Sequence, residues 1–140
     1  MKKNKSIILK SSELILQELE VSDVNKNYVS WLNDSNVNQY LESRFIPQDE
    51  NSVKLFVDKI RHSNNDFLFG IYLLADMKHI GNIRLGPVSI IHNSSSVGII
   101  IGDKNSLHKG YASSAISMIT KYAFNELKLS KLYAGCYEEN

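Results

Sequence analysis

Polar and apolar positions along the chain change period several times, and each change marks an element. Leu14, Leu16 and Leu19 in Glu13–Leu19 read as a first strand of about six residues. Ser22 and Asp23 supply an N-cap, after which Val24, Tyr28, Trp31 and Leu32 recur at three- and four-residue spacing, predicting a short amphipathic helix. Asn33–Asn36 closes it as a turn, and Val37–Phe45 reads as a second short helical or irregular piece ended by Pro47. Asp49 and Glu50 open a further helix with an apolar face of Val53, Phe56, Val57 and Ile60.

From Asp66 the period becomes strand-like. Phe67–Leu74 and His79–Gly86 form two strands joined by a turn at Asp76–His79. A polar loop, Ile91–Ser95, leads into Val97–Gly102, whose apolar residues on both faces predict a central strand. Helical spacing returns at Ala112, Ala115, Ile116, Ile119, Ala123, Phe124 and Leu127, and Lys131–Cys136 follows as a last strand. The order is strand, two helices, three strands, helix, strand, an α/β (α+β) chain without repeats or linkers.

Composition narrows the classes. With 43% hydrophobic and 22% charged residues over 140 positions, the chain has the balance of one globular domain that needs neither disulfide nor structural metal. Its formal net charge of +1, from 16 basic and 15 acidic side chains, leaves no footprint for nonspecific nucleic-acid binding. Only Ile7, Ile8 and Leu9 follow the basic Met1–Lys5, too short an apolar run for a secretory signal or a membrane span. One cysteine, Cys136, fits a reducing compartment, so a cytoplasmic protein is expected.

The chemistry concentrates at Asp103–Ala112, between the apolar strand and the best helix. The first turn of a helix leaves backbone N–H groups unpaired, and with the macrodipole they seat an anion such as a pyrophosphate. Gly110 permits close approach or a positive φ, Ala112 and Ser113 are small, and His108 and Lys109 add cationic donors at the rim. The loop matches neither GxGxxG nor GxxxxGK[ST], so by composition it is either a phosphate seat or a solvated strand-to-helix turn.

Leu107-His108-Lys109-Gly110-Tyr111-Ala112 resembles the Gln/Arg-x-x-Gly-x-Gly/Ala loop of GNAT acetyltransferases, and Lys109–Ala112 resembles the Lys-Gly-Tyr-Ala of the ribosomal-protein N-terminal and polysaccharide amino-sugar branches. The loop departs from that pattern at Leu107 and His108. Trp31-Leu32-Asn33-Asp34-Ser35-Asn36-Val37 resembles the family's early helix, and Val97–Asp103 its fourth strand. The resemblance implies a GNAT acyl-CoA N-acyltransferase fold, with a mixed, mostly antiparallel sheet flanked by helices. It implies acetyl-CoA as cofactor and an amine, of a small molecule or a peptide, as acceptor. Backbone groups of Ile99, Ile100 and Ile101 would pair with the pantetheine arm, and the amides of Leu107, His108, Lys109, Gly110, Tyr111 and Ala112 would hold the pyrophosphate. Asn140 falls where family members contact the cofactor, or is simply a chain end. The last helix and strands of the family lie beyond Asn140, so the single domain, residues 1–140, is expected to be incomplete at its C-terminus and to lack the tyrosine that protonates the leaving thiolate. An edge at Lys131–Cys136 then predicts a homodimer.

Acyl transfer to an amine needs a proton acceptor and donors for the thioester carbonyl. Glu42 is the candidate base and Arg44 the candidate anion binder, with a solvated ion pair as the alternative. Arg84 and His92 are candidates for the acceptor cleft or plain surface residues. His79 is assigned no role. The preferred reaction is direct acetyl transfer to a nucleotide-linked amino sugar; the alternatives are a protein N-terminus, a small polyamine, or a cofactor-binding module without turnover.

Overall fold

The computed structural model of the chain describes residues 6–38 and 47–134. Its strands are β1 (Ile8–Lys10), β2 (Leu14–Glu18), β3 (Phe67–Leu73), β4 (His79–Leu85), β5 (Ser94–Ile101) and β6 (Lys131–Tyr133). Its helices are α1 (Lys26–Asn33), α2 (Ser35–Asn38), α3 (Glu50–His62) and α4 (Tyr111–Asn125), with single 3-10 turns at Val21–Asp23 and Lys104–Ser106. Among the described residues the strands form one sheet in chain order, antiparallel throughout except for the parallel pair β5–β6. The mixed, mostly antiparallel α/β architecture expected from the sequence is the one observed.

The pleat divides the core in two. Phe67, Phe69 and Ile71 of β3 point to one face, where Leu14, Leu16, Ile83 and Leu85 pack beneath α4; Leu68 points to the other, against α1 and α3. On α4 the buried residues are Ala115, Ile119 and Ala123, each spaced by four, so small side chains bring the helix axis close to the sheet. Ile116 and Phe124, expected on that face, are 41% and 39% exposed, because the contact stripe is narrower than the apolar pattern. On the opposite face Val53, Val57 and Ile60 of α3 are buried, whereas Phe56 is turned outward beneath the Arg84 guanidinium.

Several boundaries differ from the sequence reading. The N-cap of α1 is Asn25, not Ser22 or Asp23: its Oδ1 accepts from the Tyr28 N–H at 2.8 Å, and Val21–Asp23 forms a separate 3-10 turn. Asp49 does cap α3, accepting from the Ser52 N–H, and Ser52 Oγ returns a bond from the Asp49 N–H. Of the apolar run 7–9, too short for a span, Ile8 and Leu9 begin the edge strand β1, in which Leu9 pairs with Leu16. β5 starts at Ser94, because Ser94–Ser96 are held by β6 on one side. The Val37–Phe45 segment lies largely outside the described residues, as does Cys136; α2 covers only Ser35–Asn38. Among the described residues no helix is long and apolar enough to cross a membrane.

Candidate functional site

β5 lies between β4 and β6, the interior position expected of it, as fifth of the six strands among the described residues, and its apolar run has a further use. β6 pairs with it only at Ser94, Ser95 and Ser96, so beyond Ser96 that side of β5 carries no strand among the described residues. Backbone direction alternates along an antiparallel strand. Ser96 accepts from the Gly86 N–H and Gly102 donates to the Ile80 carbonyl, so the even-numbered residues face β4. The Ile100 carbonyl accordingly sits where a Cβ on Gly81 would be. Val97, Ile99 and Ile101 therefore turn their N–H and C=O groups to the open edge, while Ile100 turns its own to Asn82 of β4. That edge can take an extended amide-bearing chain as if it were a further strand.

Beyond β5, Gly102 donates to Ile80, and Asp103 accepts from Ser106 Oγ at 2.6 Å to close the 3-10 turn. This hydrogen bond and then Lys78, 3.3 Å away, hold the Asp103 carboxyl below its ordinary range. The chain then bends twice through left-handed backbone, at His108 (φ 61°) and at Gly110 (φ 79°), the N-cap of α4. Nothing lies within 4 Å of a Cβ placed on Gly110, so glycine is set there by its dihedral and the space above it is free. No side chain caps α4, and its first donation back to the cap is Ser114 N–H to the Gly110 carbonyl. The N–H groups of Tyr111, Ala112 and Ser113 are left for an anion at the positive end of a helix of 15 residues. Leu107, His108, Lys109 and Gly110 are exposed around this seat, and Tyr111 is half-buried against the α4 core. The seat and the open β5 edge are contiguous, so the donor set fits a pyrophosphate joined to an amide-containing arm, the chemistry of coenzyme A.

The α1–α3 face of the sheet carries a second group of polar residues. Asn25 is fixed by its capping bond and by Nδ2 donation to the Asp23 carbonyl, and the same Nδ2 lies 3.1 Å from His79 Nδ1. His79 Nδ1 must then accept, which leaves Nε2–H to donate to Asn82 Oδ1 at 2.7 Å. Both ring nitrogens are thus committed, and burial pushes the imidazole below its usual pKa, which suits a neutral, positioned ring rather than a base. His79 stacks on Tyr72, with ring centroids 4.8 Å apart, and meets Trp31 edge-on at 5.0 Å. Trp31 in turn lies flat on Gly102, where any Cβ would overlap the indole. Trp31, His79, Lys78, Asp103 and Asp34 line a cleft of about 400 Å³ between α1 and the end of β5.

Arg84, two residues beyond Asn82, makes a forked pair with Asp66 (Nε to Oδ1 3.0 Å, Nη2 to Oδ2 2.7 Å) and lies 5.4 Å above the Phe56 ring. It is half exposed, opposite Gly98 of β5, over which a Cβ would meet nothing within 4 Å. The structure thus brings together Ile99, Ile101 and Leu107–Ala112 along one edge, with Arg84 one strand inward. His92 is exposed in the loop before β5, its N–H on Ser89 Oγ. Glu42, Arg44 and Asn140 lie outside the described residues. The sequence reading missed His79 and Asn82, since a histidine at a hairpin end and an asparagine in a strand have no periodic signature. Among the described residues no group of His, Cys, Asp and Glu could hold a metal ion.

Against known proteins, the family described as "Acetyltransferase (GNAT) domain" matches residues 13–140. The chain is 29% identical over 130 residues to the N-acetyltransferase YnaD of Bacillus subtilis, described as uncharacterized, covering 93% of this chain and 73% of that protein. Its fold matches an acetyltransferase (GNAT family) from Bacillus anthracis with a TM-score of 0.80 and 25% identity, over 96% of this chain and 76% of that one. It also matches spermidine N-acetyltransferase from Vibrio cholerae, solved with CoA and spermine, with a TM-score of 0.77 and 26% identity, over 89% and 71% of the two chains.

Proposed function

Because the chain belongs to the GNAT acetyltransferase family and is an acetyl-CoA-dependent N-acetyltransferase, we propose that its open β5 edge and the α4 N-terminus together hold the cofactor while a nucleotide-linked amino sugar presents the amine. The observation that carries this reading is that two backbone surfaces, the outward peptide groups of Ile99 and Ile101 and the N–H groups around Gly110, follow one another along the chain and carry no partner among the described residues.

When bound, acetyl-CoA supplies an acetyl group activated as a thioester. The N–H groups of His108, Lys109, Gly110, Tyr111 and Ala112 would hold the pyrophosphate through backbone dipoles, without needing the glutamine or arginine that Leu107 replaces, while the Leu107 N–H is donated to the Lys104 carbonyl at 3.5 Å. Ile99 and Ile101 would fix the arm in register. Their N–H groups are the candidates for polarising the thioester carbonyl, and Ile100 contributes its side chain, which packs toward α1 and α3. Glu42 is assigned to take the amine's proton, Arg44 and Arg84 to bind an acidic group of the acceptor, and Asn140 to contact the cofactor; His92 stays at the periphery. A polyamine acceptor is the second reading, favoured by the spermine bound to the Vibrio cholerae enzyme.

Calorimetric titration with acetyl-CoA, with ATP and NAD as controls, tests the cofactor site. Selective binding of acetyl-CoA that is lost in Gly110→Trp is expected. Equal binding of all three by the folded chain would sink the assignment. Release of CoA thiol with UDP-linked amino sugars, peptide N-termini and spermidine then separates the acceptors.

A further inference from the structure

The hydrogen-bond chain on the α1–α3 face has a direction. Tyr28 N–H donates to Asn25 Oδ1, Asn25 Nδ2 donates to His79 Nδ1, and His79 Nε2 donates to Asn82 Oδ1. A helix N-cap can be nothing but an acceptor toward the helix N–H, so each amide and the ring tautomer are fixed in turn from that end. What remains at the far end is Asn82 Nδ2, a donor. Asn82 is 4% exposed, and its Nδ2 has no hydrogen-bond partner among the described residues. Buried donors are rarely left in this condition unless something outside the chain completes them.

The surroundings say what that partner is. Arg84 shares the face of Asn82, its fork holds Asp66, and Nη1 keeps its donors without a hydrogen-bond partner among the described residues. Across the strand pair, Asn82 faces Ile100 and Arg84 faces Gly98, so the missing side chain of Gly98 leaves the surface of β5 beside Arg84 uncovered, one residue pair along the same face from the buried Asn82 amide. We infer that Asn82 Nδ2 and Arg84 Nη1 form a donor pair for an oxygen of the acetyl acceptor, whose body crosses Gly98. The acceptor is thus an amine that also carries a carboxylate, carbonyl or phosphoryl oxygen, and not a polyamine. The distance from the β5 edge to β4 is between one and two strand spacings, so that oxygen sits roughly 5–10 Å from the reacting nitrogen. This rests on the acetyl-transfer reading above and narrows it. Asn82 touches the acceptor; His79 and Asn25 act through it and are positioning residues.

The test uses the ¹⁵N-labelled full chain saturated with CoA, in which the Asn82 side-chain amide is identified by its loss in Asn82→Leu. Glucosamine 6-phosphate, alanyl-alanine and spermidine are titrated separately, the first two to distinguish a sugar phosphate from a peptide as the source of the oxygen. At least one of these two is expected to shift the Asn82 amide, and spermidine to leave it in place. In turnover, that amine should show kcat/KM at least tenfold above spermidine. Asn82→Leu should raise its KM about tenfold with kcat nearly kept. Asn82→Asp, which keeps the size and turns the donor into an acceptor, should invert the preference toward spermidine. His79→Phe should raise KM in the same sense as Asn82→Leu. An unmoved amide with both oxygen-bearing amines, a shift with spermidine, or equal loss for all acceptors in Asn82→Asp overturns the inference while leaving the cofactor site standing. Failure of the chain to bind acetyl-CoA by calorimetry would instead remove the reading beneath it, and this inference with it.

Discussion

Gly102→Ala isolates a single steric contact. Gly102 follows β5, and a Cβ there would overlap Cγ, Cδ2 and Cε2 of the Trp31 indole, a rigid ring that cannot swing its far end away. Trp31 is itself 7% exposed, packed among Tyr28, Val53 and Val57, and in edge contact with His79. One of the two must move. Overpacking of this kind costs about 1–3 kcal/mol, and displacing the indole also forfeits part of an aromatic contact worth about 0.5–1.5 kcal/mol. The expected loss is therefore about 2–3 kcal/mol, a fall in Tm of roughly 5–12 °C for a domain of this size. Trp31 is the only tryptophan of the 140 residues, so its fluorescence reports the displacement directly as a red shift in the folded baseline. Urea unfolding followed by that emission gives both numbers. In a Trp31→Leu background, where the ring is gone, the alanine should cost less than about half as much, a coupling of the size expected for touching residues. An unshifted emission with unchanged stability would refute the packing argument, and so would equal costs in the two backgrounds.

Gly110→Ala tests a conformational cost instead, because nothing lies near its Cβ and only φ 79° is at stake. Stability should drop by about 1–2 kcal/mol, with acetyl-CoA bound more weakly by calorimetry, and Gly110→Asn should recover part of both because Asn tolerates left-handed backbone. His79 makes stability pH-dependent. Its folded pKa lies below the ordinary value near 6.5, so the unfolded chain binds the proton more readily, and the stability present above pH about 6.5 is lost as pH falls toward the folded value. Urea midpoints between pH 7.5 and 5, on the order of one unit either side of that value, should fall more steeply for the wild type than for His79→Gln; parallel profiles would count against a buried neutral ring. Arg84→Ala removes two charge-assisted hydrogen bonds from Asp66, which is buried. The loss should be about 1–2 kcal/mol, at the low end because the guanidinium is half exposed, and should shrink in an Asp66→Asn background when both are measured by thermal unfolding.

Much of this molecule was written into local pattern. The three-four spacing of Val53, Val57 and Ile60 and the capping pair Asp49–Ser52 determine α3 without reference to anything distant. The runs Phe67–Leu73 and His79–Leu85 determine a hairpin. Gly110 before a run of small residues determines the entry to α4, and its left-handed φ was legible because a glycine was needed there. Other features depended on partners that no local period encodes. Ile8–Lys10 became strand only because β2 offered an edge, and Ile116 and Phe124 were left outside because two alanines narrowed the α4 contact. The apolar run of β5 looked central, yet among the described residues β6 pairs with it only as far as Ser96, and which peptide groups face the edge beyond follows from pairing parity with β4. His79 and Asn82 had no signature in the sequence at all. Their role arises because an N-cap 54 residues away from His79 along the chain orients an amide, and hydrogen-bond polarity passes from it through the ring to a strand on the sheet. The sequence by itself determined the elements and the anion seat at a helix start, since those depend on interactions within a few residues. The tertiary structure alone decided the open edge and the directed donor beside it, since strand register and hydrogen-bond polarity are properties of chain segments meeting across space.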